Sequence, residues 1–220
     1  MTAPPAQAPR ITPLGDSAIT VTFAEQLDPR AAELVLRLAD ALRRDQPVGI
    51  VEWVPGYVAL TIHYSPAELD LGSLTALITQ SLAHPAPPRP TAGGRLVEIP
   101  VHYDGPDLLA VGEATGLTSA RVAVLHAGPE YRVALLGFVP GFAYLTGLDP
   151  ALVLPRRSAP RPRVPAGSVA IAGQQSGIYP AATPGGWHLI GRTELAVFDP
   201  GRNPPSLLGV GDRVRFVPVS

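Results

Sequence analysis

The sequence predicts an α+β protein in two parts, a small N-terminal α/β sandwich domain followed by a C-terminal β-barrel. Three observations carry that expectation. In the first part, strand pairs alternate with amphipathic helical stretches in the order β-β-α-β-β-α. In the second, short extended pieces follow one another between Gly and Pro turn signals, as in a closed or nearly closed barrel. Between them the run PAPPRPTAGG, rich in Pro, reads as a semi-stiff linker. The expected boundaries are therefore residues 10–84, 85–94 and 95–220.

Arg10–Leu14 and Ala18–Phe23 are apolar runs on either side of Gly15-Asp16, which makes an opening hairpin. Asp28-Pro29 supplies a helix N-cap with Pro at the first helical position. Leu34, Val35, Leu38 and Leu42 then share one helical face, while Glu33, Arg37, Asp40 and Arg44 alternate in sign on a solvated one. Gly49–Pro55 and Tyr57–His63 form strands about the Pro55-Gly56 turn, and Leu71, Leu74, Leu77, Ile78 and Leu82 mark a second amphipathic helix. The second part opens with a strand, Arg95–Val101, and two short helices near Asp107–Thr115 and Thr118–His126, the latter capped by Thr118. Beyond them the expected strands are Tyr131–Leu136, Ser168–Ala172, Ile178–Tyr179, Trp187–Thr193, Ala196–Phe198 and Arg213–Val219. The 27 Pro and 22 Gly residues fit a backbone committed to turns and short strands rather than long helices.

Composition excludes several chemistries. All 17 basic residues are Arg. Without Lys there is no P-loop lysine, no pyridoxal Schiff base and no covalently attached biotin, so the chain carries no covalent cofactor of those kinds. Without Cys there is no disulfide, thiol nucleophile or cysteine metal site. The five His residues lack metal-ligand spacing, so no metal site is expected. A formal charge of −1 provides no field for nucleic acid. No run of apolar residues is long enough to span a membrane, and Met1–Pro9 has neither the basic nor the apolar region of a signal peptide. A cytoplasmic protein with no nucleic-acid or membrane partner is the expectation.

Three segments of the second part are richer in special residues than packing alone requires. Gly137–Tyr144 fixes an irregular backbone with Gly and Pro and concentrates Phe138, Phe142 and Tyr144, which either wall a pocket or plug one end of the barrel. Pro155–Pro165 holds Arg156, Arg157, Arg161 and Arg163 between prolines. Guanidinium groups grip carboxylate or phosphate in pairs of hydrogen bonds, and a stiffened loop loses less entropy on binding, so this is an anion site or, alternatively, a basic rim paired with acidic groups. In the third, Gln174, Gln175 and Ser176 are neutral donors and acceptors, and Gly185-Gly186 forms either a backbone anion nest or a plain hairpin turn.

The ordered motifs Gly137-Phe-Val-Pro-Gly-Phe, Arg163-Val-Pro-Ala-Gly-Ser-Val, Gly177-Ile-Tyr-Pro, Thr183-Pro-Gly-Gly-Trp and Ile190-Gly-Arg-Thr resemble the KipI / allophanate hydrolase subunit 1 family. Gly15-Asp-Ser-Ala, Val54-Pro-Gly-Tyr and Gly211-Asp-Arg-Val-Arg-Phe extend the likeness over nearly the whole chain. The family includes the B subunit of bacterial 5-oxoprolinase. The resemblance implies that the barrel is cyclophilin-like. It also implies an ATP-dependent complex with C and A subunits that opens 5-oxo-L-proline to L-glutamate, with ATP and Mg acting at the level of the complex and an active site shared with the C subunit. On that likeness Gln175, His188 and Arg163 are the catalytic candidates. Arg156, Arg157, Gly185, Gly186 and Arg192 bind substrate or anion, and Phe138, Phe142, Tyr144 and Tyr179 wall the pocket. The same family implies two alternatives, a KipI-like inhibitor of a sensor histidine kinase and the carboxyltransferase half of a urea-carboxylase-like system.

Overall fold

The computed structural model describes residues 8–26, 28–83 and 94–219. The chain divides into two compact units, residues 1–90 and 91–220. The expected linker lies outside the described residues except for Gly94.

In the first unit, β1 (Arg10–Pro13), β2 (Ala18–Thr22), β3 (Ile50–Pro55) and β4 (Ala59–Tyr64) form an antiparallel sheet in the order β1-β2-β4-β3. Helices α1 (Pro29–Asp45) and α2 (Leu71–Ala83) follow the two strand pairs. The Asp28 carboxylate caps α1 by accepting the Arg30 N–H at 2.8 Å, and Asp70 does the same for α2 by accepting that of Ser73 at 3.0 Å. Ile19, Val21, Leu60 and Ile62 from the sheet meet Val35, Leu38, Leu42, Leu74 and Ile78 from the helices in a closed core. Alternation along the strands and a period near 3.6 along the helices put these side chains on facing surfaces.

The second unit opens with β5 (Leu96–Val101), α3 (Leu108–Thr115) and α4 (Ser119–Ala127). Strands β6 (Tyr131–Leu136), β7 (Ala143–Thr146), β8 (Arg161–Val164), β9 (Ser168–Ala172), β10 (Gln175–Ile178), β11 (Thr183–Gly185), β12 (His188–Arg192) and β13 (Arg213–Pro218) follow. Seven of these strands form one sheet in the order β12-β9-β10-β7-β6-β13-β5, and β8 and β11 make a separate ribbon. The edges of the large sheet meet where His102 and Arg192 exchange backbone hydrogen bonds, both at 2.9 Å. Asp107 N–H then donates to the Leu189 carbonyl at 2.9 Å, continuing the seam. A Cβ on Gly105 would lie 2.4 Å from the Leu189 carbonyl oxygen, and one on Gly191 2.5 Å from that of His102. Only glycine admits that approach, so these two residues make closure possible. Ile99, Tyr131, Val133, Leu145, Ile171 and Phe216 fill the interior, with Val111 and Val122 from the helices packed among them.

Several expected strands shift. The segment expected at 178–179 is β10, three residues earlier. Ala196–Phe198 is reduced to a single bridge between Phe198 and Ser206. Strands β7, β8 and β11 go beyond the sequence expectation; β8 and β11 are rich in Arg, Pro and Gly and pair mainly with each other at low hydrophobicity. Among the described residues no single helix is long and apolar enough to cross a membrane.

Candidate functional site

The barrel wall separates the expected site residues onto two faces. Register pairs Gln175 with Ala172, Ser176 with Ile171, and Ile171 in turn with His188. Directly paired residues share a face and sequence neighbours alternate. Ser176, Ile171 and His188 therefore lie on one face of the sheet, and Gln175 lies on the other with Ala172. Gln175 and His188, both expected to orient one amide, are not brought together.

The aromatic residues belong to a second core on the Ala172 face. Phe142, Tyr179 and Trp187 are buried there with Val164 of β8, Ala170, Ala172 and Leu189. The Phe142 ring meets Tyr144, Tyr179 and Trp187 edge-on at 4.8, 5.2 and 5.5 Å between centroids. Phe142 and Tyr179 therefore do not wall a pocket within this chain, because their rings are covered by packing, and Phe142 packs on the face opposite the barrel core rather than plugging the barrel; Tyr144 is half-buried in the same cluster. Phe138 differs. It is 59% exposed, with φ at +71°, in a tight turn where the Val139 N–H returns to the Gly137 carbonyl at 2.9 Å. A bulky residue at positive φ is strained.

The arginine loop divides between pairing and freedom. Arg157 Nη1 and Arg161 Nη2 both donate to Asp107 Oδ1, at 2.8 and 2.7 Å, while Asp107 Oδ2 accepts the Leu189 N–H at 2.8 Å. Burial raises the Asp107 pKa, but the hydrogen bonds from Arg161 and Leu189 and the charges of both arginines outweigh it and hold the carboxyl below its usual range. Arg157 Nε and Arg161 Nη1 are buried without a partner. Arg157 is therefore paired as well as placed at the site. Arg156 and Arg163 are exposed, and among the described residues neither side chain makes a hydrogen bond or ion pair. Arg192 lies on the seam instead, bonded to Asp104 at 2.9 Å and near Glu194 at 3.6 Å.

Gly185 and Gly186 do not make a nest. Neither takes the left-handed φ that alternates in such a cradle. A Cβ on Gly185 would fall 2.3 Å from the Tyr179 hydroxyl, and the Gly186 carbonyl accepts the Arg157 N–H at 2.8 Å. The pair admits Tyr179 and anchors the arginine loop.

What remains is a cleft of about 340 Å³ at the start of β12. Ala114, Leu154 and Pro155 form its apolar part, and Arg156, Arg157, Ser158 and His188 its polar part. His188 Nε2 lies 2.9 Å from the Pro155 carbonyl oxygen. A carbonyl only accepts, so Nε2 carries the proton, and in that single-proton tautomer Nδ1 presents a lone pair.

Sequence reasoning misses two residues, Asp107 at the site and His126 in the barrel interior. Asp107 reads as a helix start, and its position just before an apolar helical stretch gives no sign of two arginines fifty residues on. His126, inside the barrel, joins Tyr103 and Ser176 in a buried network; a lone His in an amphipathic helix carries no such signal.

The fold and the ordered motifs define a carboxyltransferase-type domain. Residues 9–208 match the family described as carboxyltransferase domain, subdomain C and D, and the chain belongs to that family. The B subunit of 5-oxoprolinase from Bacillus subtilis (strain 168) is 41% identical over 225 residues, covering 96% of this chain and 93% of the relative. The crystal structure of TTHA0988 superimposes with a TM-score of 0.83 at 45% identity over 92% of this chain; the match spans 40% of that longer protein. The Kluyveromyces lactis urea carboxylase matches with a TM-score of 0.74 at 21% identity, covering 96% of this chain and 22% of that one, a likeness of fold alone.

Proposed function

We propose that this chain is the B subunit of an ATP-dependent 5-oxoprolinase. With the C and A subunits it opens 5-oxo-L-proline to L-glutamate: water adds across the lactam C–N bond, and ATP becomes ADP and phosphate. The observation that carries this reading is identity of 41% over 96% of the chain with a protein named as the B subunit of 5-oxoprolinase. The arginine-lined cleft supports it, because the substrate carries a carboxylate.

A lactam carbonyl resists water because its nitrogen donates into it. Phosphoryl transfer to the lactam oxygen removes that resistance, and guanidinium groups suit the charge on the phosphoryl oxygens. Mg accompanying ATP acts at the level of the complex; among the described residues no three His, Cys, Asp or Glu side chains gather to hold a metal ion. Arg163 and Gln175 lie outside the cleft lining; in this reading they act where the C subunit completes the site. The supply of ATP makes the cytoplasm the working compartment.

The test is reconstitution of the chain with C and A subunits. ADP release that depends on 5-oxoproline and on all three subunits is expected. No release from the full assembly, together with tight binding of this chain to a sensor histidine kinase, would replace the enzyme with an inhibitor.

A further inference from the structure

The cleft at the start of β12 holds more positive charge than its own residues neutralise. Asp107 faces both Arg157 and Arg161 through one oxygen, so one negative charge serves two cations. Arg157, which lines the cleft, and Arg161, which does not, each keep one buried guanidinium nitrogen without an acceptor, Nε and Nη1, a sign that the pair is under-neutralised rather than a contact open to a ligand. Arg156 adds a guanidinium without an ion pair among the described residues, and Ser158 a hydroxyl. This is a donor surface for an anion, held in place by the Asp107 anchor.

One acceptor stands among these donors. His188 gives its Nε2 proton to the Pro155 carbonyl and keeps Nδ1 open. A fully ionised phosphate ester has no proton to give that lone pair, whereas an amide N–H does. Leu154, Pro155 and Ala114 add apolar surface suited to ring methylenes, and a volume of about 340 Å³ lies within the range of small-ligand pockets.

We infer that this cleft binds a small cyclic amide acid, with its carboxylate on Arg156 and Arg157 and its ring N–H on His188 Nδ1. The name of the ligand, 5-oxoproline, rests on the function proposed above; the donor and acceptor pattern does not. The cleft is then the substrate-recognition part of the site.

Calorimetric titration of the full chain tests this. 5-Oxo-L-proline binds one site, 2-pyrrolidone, which lacks the carboxylate, does not, and N-methyl-5-oxoproline binds at least about tenfold more weakly. Arg156→Ala weakens 5-oxoproline at least about tenfold. His188→Ala weakens 5-oxoproline but leaves the N-methyl compound unchanged, a pattern that a merely structural histidine does not produce. Arg121→Ala, an exposed arginine on α4, changes nothing, and thermal melts confirm that each variant is folded. Absence of 5-oxoproline binding overturns the inference, as does binding indifferent to both substitutions. Inorganic phosphate or ATP displacing 5-oxoproline with equal strength in wild type and His188→Ala would make the cleft a phosphate seat instead. If binding behaves as expected while the assembled subunits release no ADP, the site stands and the oxoprolinase reading falls. An active assembly without this binding gives the reverse.

Discussion

Two histidines of the barrel unit, His126 and His188, differ in one valence. His126 is fully buried at the end of α4, its ring 4.5 Å from that of Phe216. Nδ1 lies 2.8 Å from the Tyr103 hydroxyl and Nε2 2.7 Å from Ser176 Oγ, which itself reaches the Ala170 carbonyl at 3.3 Å. Because Ser176 donates onward, Nε2 carries the proton and Nδ1 accepts from Tyr103. Nothing is left over. His188 engages one nitrogen with Pro155 and leaves the other open at a cleft. A histidine with both nitrogens satisfied belongs to the scaffold, and one with a free nitrogen beside unpaired donors marks a site.

The largest expected effect falls on the anchor that holds the open site in place. Asp107→Ala leaves two arginines without their carboxylate and lowers unfolding free energy by about 3–5 kcal/mol, read from urea denaturation. A loss below about 1 kcal/mol would mean that the arginines find other partners and that the cleft is not built on Asp107.

Acid separates the saturated histidine from the rest of the barrel. Burial holds the pKa of His126 at about 3, against 6.5 for an ordinary histidine. The unfolded chain takes up a proton that the folded chain refuses, so its contribution to stability is intact above pH 6.5 and falls as pH drops toward 3. At pH 5 this amounts to about 2 kcal/mol, from the 1.36 kcal/mol carried by each pH unit. His126→Gln should remove most of the slope; an unchanged slope would place the acid-sensitive group elsewhere.

Smaller effects concern residues outside the cleft. Arg163→Ala or Gln175→Ala in the assembled enzyme lowers turnover at least about tenfold, about 1.4 kcal/mol, with folding intact. Wild-type turnover in both would confine the working site to the cleft face. Smallest of all, Phe138→Gly shifts stability by less than about 1 kcal/mol, because relief of the positive φ offsets the lost edge contact with Phe142 at 5.6 Å.

Much of the fold is legible because its signals are local. Asp28-Pro29 starts α1 where the N-cap chemistry requires, and Thr118 caps α4 by accepting the Arg121 N–H at 3.2 Å. The arginine loop is legible as chemistry but not as pairing. The sequence shows four arginines, and only the fold shows that Arg157 and Arg161 meet Asp107 while Arg156 and Arg163 meet no partner among the described residues. The separation of Gln175 from His188 is a matter of one residue of register, which motif spacing does not encode. The aromatic segment misleads for a related reason: rings concentrated in sequence serve a core between the large sheet and β8 as readily as a pocket.

The central claim is that the open cleft, rather than any other basic surface, recognises the substrate. The most direct measurement is the KM for 5-oxoproline in the assembled enzyme carrying Arg156→Ala, beside Arg121→Ala. The account predicts a KM raised at least about tenfold for the first and unchanged for the second. A wild-type KM in Arg156→Ala would contradict it.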